Sequence, residues 1–68
     1  MTDPVYKVVE VVGTSETSIS NAIDAAISKA SDTLRHMSWF EVEQIRGSIG
    51  QNKVERYQVT VKVGFSLE

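Results

Sequence analysis

Apolar residues recur along this chain with two different periods, and the change between them marks out the elements. The segment "VYKVVEVV", Val5 to Val12, is β-branched and interrupted only by Lys7 and Glu10, which predicts a strand with apolar groups on both faces. Gly13 is expected to close that strand. In "TSETS", residues 14–18, several hydroxyls are available to accept hydrogen bonds from the free amides of a helix start. From there the period lengthens. Ile19, Ala22, Ile23, Ala26, Ile27, Ala30 and Leu34 follow at steps of three and four, with polar side chains between them, so the spacing predicts a helix whose narrow, Ala-rich stripe packs closely on a sheet. Two further strands are expected, from about Ser38 to Ile49 and from Lys53 to Leu67, joined by "GQNK", in which Gly50 and Asn52 tolerate positive φ. The order is β-α-β-β in one domain over residues 1–68.

The last strand alternates cleanly. Tyr57, Val59, Val61, Val63, Phe65 and Leu67 share one face, and Arg56, Gln58, Thr60 and Lys62 share the other. The preceding strand does not: Phe40 and Val42 have one parity, Ile45 and Ile49 the opposite. One extra residue between Val42 and Ile45, a β-bulge, returns all four to the core side. It also gathers Trp39, Glu41, Arg46 and Ser48 on the outer side. With the turn centred near Gln51, Arg46 is expected across from Arg56 and diagonal to Gln58, so that Trp39, Arg46 and Gln58 form a group.

Composition narrows the functional classes. At 68 residues with 41% hydrophobic content, the chain can bury only a modest core, and chains of this size usually need a disulfide, a metal or a partner subunit. There is no cysteine and a single His36, which removes disulfides and leaves no zinc ligand set. Self-association is the staple left. Seven basic against nine acidic residues give a net charge of −2 without a basic cluster, so nucleic acid is not an expected partner. The start "MTDPVYKVVEVVG" has neither the basic opening nor the apolar run of a signal peptide, and no segment nears the roughly 20 apolar residues of a membrane span. The expectation is a soluble cytoplasmic protein.

Three side chains on the outer face carry candidate chemistry. The Trp39 indole offers a flat stacking surface. Gln58 presents a carbonyl and an amide to the edge of a planar heterocycle, and Arg46 supplies a forked cation for phosphate or carboxylate. The same pattern also fits an interface tryptophan without a ligand, with Arg46 and Gln58 as solvated positions. Catalytic groups are not evident. Glu41 and Glu43 lack an apolar pocket that would raise one carboxyl pKa. Thr14, Ser15 and Ser18 read as caps, and His36 is expected to face the helix C-terminal carbonyls.

In order and length, "VYKVVEVVGTSETS", "TLRHMSWFEVEQIRGSIG" and "ERYQVTVKVGFSLE" resemble the dodecins, small flavin-binding proteins of bacteria and archaea, over almost the whole chain. The resemblance implies an α+β subunit in which a three-stranded antiparallel sheet curls around one helix, assembled into a hollow homododecamer. It implies flavin pairs stacked back to back between tryptophans of two subunits, with Trp39 at the stacking position, Gln58 at the ring edge and Arg46 on the phosphate. Arg46 favours FMN over riboflavin. Coenzyme A, bound by some bacterial relatives at subunit junctions, would correspond to Lys29, Thr33 and Arg35. Many bacterial members carry arginine where Ser66 stands and aspartate where Ser38 stands; the first difference weakens the coenzyme A inference. The expected function is a non-enzymatic flavin store with photoprotection by electron transfer from Trp39. A flavin-dependent enzyme and a ligand-free scaffold are its rivals.

Overall fold

The computed structural model describes residues 3–67. Strand β1 covers Tyr6–Ser15, helix α1 Ile19–Ala30, strand β2 Met37–Gly50 and strand β3 Lys53–Ser66. Both pairings are antiparallel and the sheet order is β1-β3-β2, so the cleanly alternating strand lies at the centre with a neighbour on each side. The β-α-β-β order and the α+β class agree with the sequence pattern.

One face of β3 makes the core. Val59, Val61 and Val63 are buried, and Ala22, Ala26 and Ala30 of the helix stripe are buried with them, joined by Val11, Ile23 and Ile27. Alanines at the contact let the helix approach the sheet closely, and Gly13 completes that approach. The strand does not end at Gly13 as expected, because Gly13 pairs with Val59 and the ladder runs on to Ser15. A Cβ at Gly13 would collide with the Ala22 carbonyl, so glycine here makes room for the helix backbone. Ser18 is the N-cap, its Oγ accepting from Asn21 N at 3.0 Å, and Ser15 Oγ accepts from Thr17 N at 3.0 Å.

The helix is shorter than its apolar stripe. After Ala30 the chain tightens, with Thr33 N donating to Ala30 O at 3.1 Å and Leu34 N to the same oxygen at 2.9 Å. His36 does not act on the helix end as expected. It adopts φ 63 and its carbonyl accepts from Ser66 N at 3.0 Å, which turns the chain into β2. Lys29 is the cation of the last helical turn, and Arg35 reaches back from beyond it, its Nη1 donating to the C-cap carbonyl Ser31 O at 3.3 Å and to Leu34 O at 3.2 Å.

The β2–β3 connection is a two-residue turn with Gln51 at φ 53 and Asn52 at φ 65, the left-handed pair of a type I′ hairpin. Gly50 is therefore a strand residue paired with Lys53. Three irregularities follow along the hairpin: one between Ser48 and Ile49, one between Val42 and Gln44, and one between Met37 and Trp39. The second is the expected bulge, with Glu43 as its extra residue. The first was not anticipated, and it moves Arg46 opposite Gln58, with Ser48 opposite Arg56.

Phe40, Val42, Ile45 and Ile49 were expected in the core. They do take the inner side, but α1 lies over β1 and β3 and leaves β2 uncovered, so Phe40 is 50% exposed, Ile45 53% and Ile49 78%. The Cα radius of gyration is 14.2 Å, where a compact chain of this length has about 11 Å. The lone subunit is thus an extended body with an unpartnered apolar strip.

Candidate functional site

The outer face of the sheet, opposite α1, carries the candidate residues at two separate ends. At one end Trp39 pairs with Gly64 across the β2–β3 ladder. A Cβ at residue 64 would collide with Cδ2, Cε2 and Cζ2 of the indole, so the ring lies across bare backbone. Tyr6, on the same face through its pairing with Ser66, meets the indole edge-on, with centroids 6.4 Å apart at 64°. Glycine beneath and tyrosine at the edge fix the ring while Trp39 remains 42% exposed, leaving apolar ring area for a planar ligand.

At the other end Arg46 Nε donates to Gln58 Oε1 at 3.1 Å, beside Thr14 of β1. That bond engages the inner nitrogen of the guanidinium and aims the Gln58 carbonyl, so the two side chains form one polar unit. Gln58 and Gly64 are six positions apart on β3, about 20 Å along an extended strand. The three residues share a face, as expected, but do not form a group within one chain. A single small planar molecule cannot meet Trp39 and the Arg46–Gln58 unit of the same subunit.

Between the two ends sits an ionic cluster. Lys62 lies opposite Glu10 on β1 and Glu41 on β2, and its Nζ stands 3.0 Å from Glu43 Oε1. The hydrogen bond from Lys62 holds the Glu43 carboxyl below its ordinary range, and the bond to Glu43 together with its charge raises Lys62. A lowered carboxyl is the opposite of what a general acid requires, so Glu43 here serves charge pairing. Among the described residues no three His, Asp or Glu side chains gather as metal ligands, and no helix is long and apolar enough to cross a membrane.

The coenzyme A candidates are divided. Lys29 and Thr33 line an open groove of about 540 Å³ with Val9, Val11, Ala30, Asp32 and Leu34. Arg35 is not among them, being engaged with the Ser31 and Leu34 carbonyls, and Lys29 Nζ stands 3.8 Å from Asp32. A phosphate in this groove would meet one partly neutralised cation.

Sequence reasoning missed Gly64 and Tyr6 as site residues. Gly64 interrupts an otherwise β-branched strand, and its position opposite the only tryptophan was the available signal. Tyr6 carried no signal before the β1 register was known.

The comparisons with known proteins agree with this architecture. The family model described as Dodecin matches residues 5–68. A curated dodecin of Thermus thermophilus is 58% identical over 64 residues, covering 94% of this chain and 93% of the relative. The crystal structure of an arginine-to-alanine variant of T. thermophilus dodecin superposes with a TM-score of 0.92 at 56% identity, covering 97% of each chain. The structure of dodecin from Streptomyces coelicolor gives 0.93 at 47% identity, covering 100% of this chain and 97% of that one. With its β-α-β-β fold, its glycine-seated tryptophan and a match along nearly its full length, the chain belongs to the dodecin family of small binding proteins.

Proposed function

We propose that this protein stores and sequesters oxidised flavin, FMN before riboflavin, in sites completed between copies of a cytoplasmic homododecamer. The observation that carries the reading is the seating of Trp39: one side of the indole rests on Gly64, its edge is held by Tyr6, and the exposed area is apolar and flat. An isoalloxazine ring stacks on such a surface with little side-chain ordering to offset. The distant Arg46–Gln58 unit of a second copy then supplies an acceptor for the ring edge and a cation for the phosphate. The uncovered apolar strip of β2 supplies the surface through which copies associate.

Storage follows from the way the slot is filled. A flavin with an indole on one face and a second flavin on the other has no face open to a hydride donor or acceptor, which disfavours turnover. The same stack holds an electron-rich indole against an electron-poor ring, so excitation of the flavin is quenched by electron transfer from Trp39. Reduced flavin, bent and differently charged, fits the flat slot less well.

Titration of FMN fluorescence with purified protein, beside size exclusion with light scattering, tests the reading. Saturating, equimolar quenching on a dodecameric particle is expected. A dodecamer that leaves FMN fluorescence unchanged would sink the flavin assignment and keep the fold.

A further inference from the structure

Trp39 and Arg46 are seven positions apart, an odd number, so an unbroken strand would place them on opposite faces of the sheet. They share the outer face because Glu43 is inserted between Val42 and Gln44. The position of that bulge therefore decides whether the stacking ring and the anion-binding side chain can serve the same surface. If the extra residue moved past Arg46, the guanidinium would turn to the inner face.

The bulged residue is tied across the ladder. Glu43 Oε1 lies 3.0 Å from Lys62 Nζ, and Lys62 belongs to the central strand, two residues from Gly64 and four from Gln58. The carboxylates facing it come from both neighbouring strands: Glu10 from β1, and Glu41 and Glu43 from β2. Without the ammonium, three like charges would stand side by side at the bulge, and moving Glu43 to the other face would relieve them.

We propose that Lys62 is a positioning residue of the flavin site, acting through Glu43 to pin the bulge that keeps Trp39 and Arg46 on one face. The inference rests on the flavin reading above and deepens it. The direction of both shifts fits the role, since the pair stays ionised across the neutral range. A lysine acting in this way contributes by geometry, so its charge is exchangeable with that of its partner. A lysine that touched the flavin directly would not be exchangeable.

The test uses the full-length assembled protein and four variants: Lys62→Met, Lys62→Glu, Glu43→Gln and the exchange Glu43→Lys with Lys62→Glu, the last carrying Glu10→Gln and Glu41→Gln as well, so that the new carboxylate at position 62 meets no like charge from either neighbouring strand. Two quantities are read, the FMN dissociation constant from fluorescence quenching and the amide hydrogen exchange of residues 42–46 without flavin. Lys62→Met is expected to raise the FMN dissociation constant by about fivefold, the upper end for a solvent-exposed pair, and to speed exchange in that segment. Lys62→Glu acts in the same direction and further, Glu43→Gln speeds exchange without adding charge, and the exchange of charges restores both quantities to within about twofold. Unchanged exchange in Lys62→Met and Glu43→Gln overturns the proposal. Weak FMN binding that the exchanged pair leaves unrestored also overturns it, because Lys62 would then act by its own charge on the ligand. If the unaltered protein fails to bind FMN, the flavin reading fails while hydrogen exchange still decides whether Lys62 pins the bulge. Should either Lys62 variant not assemble, Glu43→Gln and the exchanged pair carry the comparison.

Discussion

Gly64 lies beneath the indole of Trp39, so closely that a β-carbon at residue 64 would overlap the ring atoms. Gly64→Ala must push the indole off the sheet or bend β3, at an overpacking cost of about 1–3 kcal/mol. We expect the variant to assemble and to bind FMN at least about tenfold more weakly, equivalent to roughly 1.4 kcal/mol. Binding unchanged in a quenching titration would mean that the ring's seat on Gly64 is irrelevant to stacking.

Arg46 should separate phosphorylated from unphosphorylated flavin. Its Nε is bonded to Gln58, which leaves the outer nitrogens of the fork available for a phosphate. Arg46→Met removes a charge-assisted contact worth about 1.5–3 kcal/mol, so FMN affinity should fall ten- to a hundredfold or slightly more. Riboflavin affinity should fall by no more than about threefold, since it loses only the Nε bond that aims Gln58, and water can replace that donor. Equal losses for the two flavins would remove the phosphate role from Arg46.

Much of this fold is legible in the periods of the chain, because helix and strand impose different spacings and Val59, Val61 and Val63 alternate without exception. The bulge at Glu43 is legible too, since it is the smallest change that reconciles the parity of Phe40 and Val42 with that of Ile45 and Ile49. The irregularity at Ser48–Ile49 leaves no comparable trace, for its extra residue is the polar Glu55 and no apolar pattern is broken there. A turn centred between Gln51 and Asn52 moves Arg46 by one residue from Arg56 to Tyr57, and that hidden shift moves it by one more to Gln58. Apolar parity also gives the face of a residue and not its cover: Ile45 and Ile49 are on the inner side yet open, because α1 packs on β1 and β3. Separation along the strand, which divides Trp39 from Gln58, follows only once the register is known.

The open strip on β2 should respond to charge. Ile45 is 53% exposed on the inner side between Val42 and Ile49, also open, and this apolar run is larger than isolated exposed residues on a monomer require. Ile45→Asp should leave the α1 core of Ala22, Val59 and Val61 intact while shifting light-scattering mass from the assembled particle to smaller species. A particle of unchanged mass would place the subunit contacts elsewhere.

Acid should loosen the ionic cluster before it affects the core. Glu43 is lowered first by the hydrogen bond from Lys62, so the folded form holds its proton more weakly than the unfolded form, whose carboxyl has the ordinary value of 4.5. Its contribution is therefore present above pH 4.5 and lost as pH falls through the lowered value. Lys62 is raised, so its contribution is full below its ordinary 10.5 and lost as pH climbs through the raised value. Carbon-13 titration of the Glu43 carboxyl should give a midpoint below 4.5 that moves upward in Lys62→Met. A midpoint indifferent to Lys62 would mean that the 3.0 Å contact is not kept in solution.

The separation of Trp39 from the Arg46–Gln58 unit allows a test by mixing. If a flavin takes its stacking ring from one copy and its polar contacts from another, neither Trp39→Ala nor the double variant Arg46→Met, Gln58→Ala binds FMN well alone. No chain in a mixture of the two carries a complete set. Co-assembled at equal amounts, however, about a quarter of the sites join an intact Trp39 to an intact Arg46 and Gln58 contributed by a different copy. Quenching should then recover to about that fraction, with near-parental affinity in the recovered sites. Separately assembled particles mixed afterwards serve as the control and should recover nothing until subunits exchange. Failure of the co-assembled particles to recover, with both variants shown to be present in one particle, would require each site to draw all three residues from a single chain, which the roughly 20 Å between Gly64 and Gln58 opposes.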